Sequence, residues 1–354
     1  KLLLDQGNDI TLACLENSPI ESHANSARVK TITFPSNAKN FKSLLLMINS
    51  LGKNNFDLIH SHYSKDLWLI VPALKILNLK IPLVLTKHLG SAVSKKDIFH
   101  HFIYKRLDHA IAISNVIKDN LLETTNLTPG KVSVIHNFID LPKFKKQNMQ
   151  SDLKHTFGID QTALVLGLVG RITPGKGHED IIEALRIIQN DNFNYKVIVA
   201  GTSSPDEKEF ETKVKQMVND YNMQDDFIFT GFRNDIPELL SIFDAFLFPS
   251  RAEAFGLALL EAMAAGVPSV ACYSDGVKDI VIPEVTSLTY KRNDIETLAK
   301  QLHRIMSDKA LRTYLAENST GHARQFSASA FQDRTNRLYS KLLGSNPRMP
   351  VQAS

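Results

Sequence analysis

The chain has 354 residues, of which 43% are hydrophobic and 22% charged, so it has the composition of a soluble globular protein and is too long for a single ordinary core. No apolar run reaches the ~18 residues that a membrane-spanning helix needs, because Pro72 and Lys75 interrupt the nearest candidate, residues 67–79. The formal charge of +4 is unevenly distributed. Residues 1–150 hold 19 Lys and Arg against 11 Asp and Glu, a net charge of +8, and the remainder has a net charge of −4. The basic half suggests an anionic partner, and the alternative is that charge merely varies between domains.

Short apolar runs alternate with helix-like stretches throughout, which is typical of a mostly parallel sheet covered by helices. The first half contains DITLACL, VKTITF, DLIHSH, IPLVLTKH, HAIAIS and KVSVIHN. The second half contains ALVLGLVG, YKVIVAG, DFIFTG, FDAFLFPS and VPSVAC. A polar stretch without a strand pattern separates the two sets and predicts a linker. We predict a first domain at 1–148, a second at 149–325, a C-terminal helix at 326–343 that packs back on the first domain, and a disordered tail at 344–354.

The opening residues indicate the end of a helix, a stop at Gly7 and then a strand. Asp5 and Gln6 end the first apolar run at once, so no secretory signal is predicted. Cys14 and Cys272 lie far apart in apolar runs. Two buried free thiols in a reducing compartment are favoured over a disulfide, which indicates a cytoplasmic location.

Histidines are concentrated early, with eight of the twelve before residue 150. His60 and His62 form a His-x-His pair on a predicted strand, a spacing that can bind zinc. No cysteine or carboxylate cluster accompanies the pair. The preferred interpretation is therefore ordinary strand-end residues, and no metal site is predicted.

The segment SKKDIFHHFIYKRLD predicts a basic amphipathic helix. Its apolar face consists of Ile98, Phe99, Phe102, Ile103 and Leu107. Its edges carry Lys95, Lys96, Lys105 and Arg106. Packing of this helix on the sheet is the plainer interpretation. The functional interpretation is contact of those four cations with an anionic membrane surface.

The segment GRITPGKGHED follows an apolar run and precedes a predicted helix. Gly170, Gly175 and Lys176 have the spacing of a phosphate-binding P-loop, but Gly177 stands where such a loop requires Ser or Thr. Backbone N–H groups at a strand–turn–helix junction attract anions, and Arg171 and Lys176 add two positive charges. Diphosphate binding is therefore preferred over a magnesium-dependent NTPase and over a purely structural turn.

A second motif, SRAEAFGLALLEAMAAGVP, predicts a helix that begins near Phe255 and stops at Gly266. The helical neighbours of Glu261 are all apolar or small: Leu257, Ala258, Ala264 and Ala265. A carboxylate on an apolar face needs partners, because its unpaired burial is costly. Glu253 and Glu261 are therefore candidate ligands for sugar hydroxyls, and a core ion pair of Glu261 with Lys or Arg is the alternative.

These two motifs, GRITPGKG and PSRAEAFGLALLEAMAAGVPSVA, together resemble the donor-binding domain of the family 4 retaining glycosyltransferases. Weaker similarity extends through DLIHSHYSKDLW, LTKH, AISNVIKDNL and VIHNFID, so the resemblance covers most of the chain. It implies the GT-B fold, an α/β architecture of two Rossmann-like domains with parallel sheets that face each other across a cleft. The acceptor domain would come first and the nucleotide-sugar donor domain second.

The resemblance also implies roles for individual residues. Arg171 and Lys176 would neutralise the donor diphosphate, Glu253 would hold the donor sugar, and Glu261 the ribose hydroxyls. His88, at the end of LTKH, corresponds to a family histidine near the sugar and completes the candidate catalytic set of His88, Arg171, Lys176 and Glu253. The further donor-binding candidates are Gly170, the base neighbours Phe232 and Arg233, and the backbone N–H groups of Phe255, Gly256 and Leu257.

The departure of a nucleoside diphosphate leaves an anion, which preorganised cations and helix N–H groups would stabilise. The chain has no Asp-x-Asp, so no diphosphate-bridging metal site is predicted. The resemblance implies metal-independent transfer with retention of anomeric configuration. No cofactor is expected beyond the nucleotide-sugar co-substrate, a UDP-sugar being favoured over a GDP- or ADP-sugar, and no nucleic-acid partner is expected.

The resemblance begins late in the family pattern. Members usually open with a strand and a Gly-Gly loop, then a helix that ends in Gly-His, whereas here Asn8 stands in the place of that His. We therefore expect the first strand and its loop to be missing and sheet edges to be exposed. Phe138 and Asp275 also stand where the family commonly has Gly.

The predicted function is transfer of a sugar to a glycan or lipid-linked acceptor in bacterial cell-envelope polysaccharide or lipopolysaccharide synthesis. The enzyme would be cytoplasmic or peripheral on the inner face of the plasma membrane. The alternative is a truncated, non-catalytic relative that binds a nucleotide sugar or a partner. The intact donor motifs favour the enzyme, and the late start favours the alternative.

Overall fold

A computed structural model of the protein describes residues 2–35, 41–144 and 150–344. The chain divides into two compact units. The first unit is Lys1–His136 with Ala328–Ser354, and the second unit is Asn137–Ser327. The boundary by contacts thus falls at His136, whereas the sequence analysis places it at residue 148. Apart from Gly344, the tail predicted to be disordered lies outside the described residues.

All ladders between the described strands are parallel, as the alternation of strands and helices predicts. The strands are β1 (Thr11–Leu15), β2 (Lys30–Phe34), β3 (Ile59–Ser61), β4 (Leu83–Lys87), β5 (His109–Ala112), β6 (Val132–Val134), β7 (Leu164–Val169), β8 (Tyr195–Ala200), β9 (Phe227–Gly231), β10 (Ala245–Phe248), β11 (Ser269–Cys272) and β12 (Leu288–Tyr290). All eleven predicted runs contain a strand. The short β12 was not predicted, because Thr286, Ser287 and Lys291 flank it and leave no apolar run there.

Helices follow most of these strands. They are α1 (Pro19–Ser26), α2 (Phe41–Lys53), α3 (Leu67–Ile76), α4 (Ile98–Lys105), α5 (Asn115–Thr124), α6 (Gln150–Thr156), α7 (His178–Ile187), α8 (Lys208–Asp220), α9 (Ile236–Ile242), α10 (Leu257–Ala264), α11 (Ile295–Ser307), α12 (Lys309–Ala323) and α13 (Ala328–Gly344). Side chains cap several N-termini: the Ser114 hydroxyl, for example, accepts the N–H of Ile117 at the start of α5.

The first unit contains two separate sheets. One pairs β1 with β2, and the other has the order β3-β4-β5-β6. Both β1 and β3 pair with a single described strand, so they are edge strands. The C-terminal helix α13 belongs to this unit, where its apolar side chains pack on a core of Val84, Ile111 and Ile135. The first unit is therefore built from two segments of the chain, one before and one after the second unit.

The second unit is a six-stranded sheet of order β12-β11-β10-β7-β8-β9. The chain runs outward from β7 in one direction and returns to begin the other half at β10. The strands β7 and β10 are therefore neighbours at the point where the order reverses. In open α/β sheets, ligands bind beyond the carboxyl ends of the strands at such a point.

The predicted basic helix is real but buries only part of its apolar face. Ile103 and Leu107 are buried, whereas Ile98, Phe99 and Phe102 are exposed. The expectation that Arg106 contacts a membrane is not supported: its guanidinium donates to Asp108 Oδ2 at 2.8 Å and to the Ile81 carbonyl at 2.6 Å. The Arg106 guanidinium therefore holds the C-terminal end of α4 to the segment that precedes β4.

Both cysteines are free thiols, as expected. Cys272 is fully buried, and burial raises its pKa. Cys14 is only partly buried, so the expectation of two buried thiols holds for one of them. Among the described residues, no helix is long and apolar enough to span a membrane.

Candidate functional site

Both chemistry-bearing motifs of the second unit lie where its strand order reverses. The glycine-rich loop begins directly after β7, and the segment that carries Glu253 begins directly after β10. These two strands are hydrogen-bonded neighbours, and their carboxyl ends lie at the same edge of the sheet. The Arg251 N–H donates to the Gly175 carbonyl at 2.8 Å and so joins the two loops.

Gly177 explains why the loop is not a P-loop. Its φ of 76° is left-handed, and a Cβ at this position would lie 2.3 Å from the Pro249 carbonyl oxygen. Neither Ser nor Thr fits there without movement of the backbone. The hydroxyl that a magnesium-binding P-loop requires is therefore excluded by the close approach of the loop after β10.

Lys176 and Glu253 form an ion pair between the two loops. Lys176 Nζ lies 2.6 Å from Glu253 Oε2, with the side chains 29% and 19% exposed. The buried Ser250 hydroxyl donates to the same Oε2 at 3.1 Å. The structure gives Oε1 no hydrogen bond from a described residue, so one carboxylate oxygen orients the lysine and the other can accept a ligand hydroxyl. The sequence analysis named both charged residues but missed Ser250 and the pairing.

A second ion pair supports the first. The Arg251 guanidinium grips the buried Asp180 carboxylate through two hydrogen bonds, one of them 3.0 Å from Nε to Oδ2. Asp180 lies in the first turn of α7, so the pair fixes the loop after β10 to the helix that follows the glycine-rich loop. Neither residue was predicted. The only signal available was the Asp in GKGHED. It was a weak signal, because acidic residues are common in the first turn of a helix.

Arg171 differs from Lys176 in its surroundings. Its side chain is exposed, and no ion pair holds it among the described residues. Its charge is close enough to help lower the pKa of Glu207, which is lowered mainly by hydrogen bonds from Ser204 and Thr173. Arg171 is therefore a cation held near the loop but not committed to a carboxylate.

Glu261 is half-buried in α10, and the structure gives its carboxylate no hydrogen bond or ion pair with a described residue. Burial raises its pKa, and the charge of Lys143 partly opposes that rise. The alternative of a core ion pair is therefore not what the structure shows. A desolvated carboxylate without a partner is a strong acceptor for ligand hydroxyls.

The N-terminus of α10 completes the site. Gly256 is its N-cap, with a φ of 103°, and Leu257 is its first residue, two positions later than the predicted start. No described acceptor takes the N–H groups of Gly256 and Leu257. Phe255 is 2% exposed and packs edge-on against Phe326, which anchors the turn. The free N–H groups are available to an anion.

The two residues expected near the base are placed differently from each other. Phe232 is 75% exposed after β9, so its ring is available for stacking. Arg233 is held by Asp235 through two hydrogen bonds and lies over the Phe157 ring. Its guanidinium is therefore engaged within the protein. Gly170, the residue after β7, donates its N–H to the Ala200 carbonyl at 3.0 Å.

In the first unit, His88 belongs to a stack of three imidazoles at the carboxyl ends of β3 and β4. His62 Nδ1 lies 3.3 Å from His88 Nε2, and the His60 ring stacks on His62 with centroids 4.3 Å apart. His60 bonds to Thr86 at 2.7 Å and to the Tyr339 hydroxyl of α13 at 2.5 Å. The sequence analysis treated His60 and His62 as ordinary strand-end residues.

The stack is electrically neutral near neutral pH. Desolvation, aided by the neighbouring histidines, lowers the pKa of His60 to about 3. Desolvation also lowers the pKa values of His62 and His88. In the His62–His88 bond one nitrogen donates and the other accepts, so the bond restricts the tautomer of His88. No group of three possible ligands is arranged to hold a metal ion within the described part of the chain.

Two family models match the chain along almost its whole length. Glycosyltransferase Family 4 matches residues 1–143, and Glycosyl transferases group 1 matches residues 149–322. The chain is also similar to UDP-Gal:alpha-D-GlcNAc-diphosphoundecaprenol alpha-1,3-galactosyltransferase of Escherichia coli. That relative is 28% identical over 330 residues, which cover 88% of this chain and 83% of the relative.

Solved structures agree with the fold class. A glycosyltransferase from Rickettsia africae matches with a TM-score of 0.86 at 20% identity, over 96% of this chain and 92% of that one. HepE of Anabaena, solved in complex with UDP-glucose, matches with a TM-score of 0.79 at 20% identity, over 94% of this chain and 91% of that one. The predicted GT-B fold is confirmed.

Proposed function

The chain belongs to the family 4 glycosyltransferases, and from that premise we propose that it transfers a sugar from UDP-sugar to a lipid-linked or polysaccharide acceptor. We further propose that transfer retains the anomeric configuration and needs no metal ion. The observation that carries the proposal is the unpartnered Glu261 carboxylate on the helix whose N-terminus follows the Lys176–Glu253 pair.

Each side chain has a distinct part in the proposed reaction. Breaking the bond between sugar and phosphate leaves UDP with a growing negative charge. Lys176 and Arg171 stabilise that charge, together with the N–H groups at the start of α10. Glu261 accepts the ribose hydroxyls, and Glu253 Oε1 accepts a hydroxyl of the sugar. Positive side chains would thus do the work that a metal ion does elsewhere.

The acceptor proposal draws on the related Escherichia coli enzyme, whose name gives a sugar on diphosphoundecaprenol as its acceptor. We place this protein in bacterial cell-envelope polysaccharide or lipopolysaccharide synthesis, peripheral on the inner face of the plasma membrane. The exposed apolar tip of α4, with Ile98 78% and Phe99 69% exposed, would insert among the lipids. The exposed Lys96 and Lys105 would meet anionic headgroups.

The donor site is tested by calorimetric titration of UDP, GDP and ADP in EDTA. We expect UDP to bind the wild-type protein and to lose at least tenfold in affinity in Lys176→Ala and Glu261→Ala. The exposed residues Lys300 and Glu317 provide matched controls as Lys300→Ala and Glu317→Ala. Absence of binding by any nucleotide to the folded wild-type protein would reject the donor site and favour a non-catalytic relative.

Turnover experiments test the finer points. Once the UDP-sugar that serves as donor is known, proton NMR of the first product formed reports its anomeric configuration. A product of inverted configuration would reject the proposed retention. Rates measured in EDTA and in magnesium should agree within twofold, and loss of activity in EDTA would reject metal independence. Co-sedimentation with phosphatidylglycerol vesicles should fall in Ile98→Ser/Phe99→Ser, and unchanged sedimentation would reject the membrane contact.

A further inference from the structure

Two lysines of the first unit, Lys87 and Lys95, lie close together at the end of β4. Lys87 directly precedes His88 in the sequence. Lys87 is the last residue of β4 and is half-buried. Its ammonium donates a hydrogen bond to the Ser64 hydroxyl at 3.0 Å. Ser64 also contacts the Tyr104 hydroxyl. The lysine is thus held against the protein and does not extend freely into water.

The ammonium of Lys95 lies beside that of Lys87. Burial, together with the adjacent charge of Lys95, lowers the pKa of Lys87 to about 8. Among the described residues, no carboxylate forms an ion pair with either lysine. The two positive charges therefore repel each other without a counter-ion of the protein.

The position of Lys95 is imposed by its backbone. The Lys95 N–H donates to the Thr124 carbonyl at 2.7 Å. Earlier in the same loop, the Asn120 side-chain amide accepts the Ser91 N–H at 2.7 Å and donates to the Ser91 carbonyl at 3.0 Å. Two anchors on α5 thus bring the loop, and with it Lys95, back towards β4. A structure that enforces contact between like charges at a cost in stability is typical of a binding site for the opposite charge.

The loop between Lys87 and Lys95 carries two exposed apolar side chains: Leu89 is 70% exposed and Val93 is 69% exposed. A ligand that satisfied both features would carry a phosphate and a hydrocarbon chain. A soluble sugar or a free phosphate would leave the exposed leucine and valine in water.

We propose that Lys87, Lys95 and Ser64 bind the phosphate of a lipid-linked acceptor whose hydrocarbon chain lies on Leu89 and Val93. The inference rests on the proposed function, because it specifies the acceptor of that reaction. The two ammonium groups and the hydroxyl supply donors to the phosphate oxygens. The phosphate supplies the negative charge that the protein itself does not provide there.

The test is calorimetric titration of farnesyl diphosphate, a short lipid diphosphate, into the full chain. We expect binding in the wild-type protein and at least a tenfold loss in Lys87→Met and in Lys95→Met. The exposed Lys80 of the same unit gives the control Lys80→Met, which should bind as the wild type does. Because the cationic form of Lys87 binds the ligand, affinity should also fall as the pH rises through about 8.

Two further ligands separate the sources of phosphate. Farnesol and inorganic pyrophosphate should each bind at least tenfold more weakly than farnesyl diphosphate. Equal binding of pyrophosphate, or unchanged farnesyl diphosphate binding in Lys95→Met, would overturn the inference. Loss of phosphatidylglycerol vesicle binding in both variants, with no binding of farnesyl diphosphate, would assign the lysines to the membrane surface and also overturn it.

The fate of the proposed function is read separately. UDP should bind Lys87→Met and Lys95→Met with wild-type affinity, which also shows that both variants fold. Normal UDP binding without farnesyl diphosphate binding in the wild type would reject only the acceptor site. Absence of UDP binding would reject the proposed donor chemistry and leaves the lysine site to be judged by farnesyl diphosphate alone.

Discussion

The two units differ in whether the basic side chains near their strand ends are paired with carboxylates. In the second unit, three basic side chains near the site are held by carboxylates, unlike Arg171: Lys176 by Glu253, Arg251 by Asp180 and Arg233 by Asp235. In the first unit, the strand ends carry imidazoles and one lysine, Lys87, whose pKa values are lowered. Paired charges keep cations protonated and fixed for an anionic ligand, whereas desolvated unpaired groups lose charge and can titrate.

The contrast fits two different chemical tasks. A leaving diphosphate needs cations that are already in position, because their reorganisation during the reaction would be costly. Neutral imidazoles, in contrast, can donate and accept hydrogen bonds to hydroxyl groups. The following changes would break or sharpen this difference, beginning with the largest expected effect.

Lys176→Ala should break the ordered cation of the second unit. We expect the rate of sugar transfer to fall by roughly 10²–10³-fold, the range for removal of one preorganised transition-state donor. The Glu253 carboxylate would also lose its counter-ion. Steady-state kinetics with the UDP-sugar identified by calorimetry measures the effect. If Lys176→Ala and the control Lys300→Ala gave equal rates, the ion pair would have no part in catalysis.

Gly177→Ser tests whether the loop has room for the P-loop hydroxyl. A side chain at positive φ costs roughly 1–2 kcal/mol, and its Cβ would meet the Pro249 carbonyl oxygen at 2.3 Å, so the loss of stability should exceed that range. Urea unfolding measures it. In Gly321→Ser the new Cβ meets nothing within 4 Å, so this variant should be nearly neutral. Magnesium-dependent ATP binding gained by Gly177→Ser would contradict the steric explanation.

Glu261→Gln should separate binding from stability. Loss of the charge weakens hydrogen bonds to the ribose hydroxyls, and we expect UDP affinity to fall by about tenfold, roughly 1.4 kcal/mol. The free protein should become more stable, because burial raises the Glu261 pKa above its unfolded value of 4.5.

The sign of the pH dependence follows from that shift. A raised carboxyl pKa contributes stability below about pH 4.5, and the contribution is lost as the pH rises through the folded-state pKa. The stability advantage of Glu261→Gln should therefore grow from pH 4 to pH 7 in urea unfolding. An advantage that does not change with pH would mean that Glu261 is paired in solution.

His60→Gln should have an effect that is confined to the acid side and is smallest near neutral pH. The folded-state pKa of His60 is about 3, against 6.5 for the unfolded chain. Its contribution to stability is therefore complete above about pH 6.5 and declines as the pH falls towards 3. Urea unfolding between pH 4.5 and 7.5 should show a slope shallower by up to one proton in the variant. Identical slopes would show that His60 is charged in the stack.

Much of the fold could be predicted from local pattern. All eleven apolar runs contain strands. Because helices alternate with these strands, a parallel sheet is the arrangement that the pattern predicts. The basic helix was predicted, but its exposed side was not. Helical periodicity places Phe99 and Ile103 on the same face, yet only tertiary packing decides that Ile103 is buried and Phe99 exposed.

The candidate site was predicted in its residues and not in its pairings. Lys176, Glu253 and Glu261 could be named because their motifs combine a glycine turn, cations and a carboxylate on an apolar face. Their partners were missed for a physical reason: Lys176 and Glu253 are 77 residues apart, and Asp180 and Arg251 are 71 apart. The same holds for His60 and Tyr339, which are separated by 279 residues.

By itself, the sequence determined the alternation of strands and helices, the position of the glycine-rich loop and the identity of its cations. These are local properties, set by side-chain periodicity and by the backbone freedom of glycine. Only the tertiary structure decided that Glu253 pairs with Lys176 while Glu261 has no partner, and that Lys95 lies against Lys87. Charges interact through space, so their pairing depends on how the order of strands returns distant segments to the same edge of a sheet.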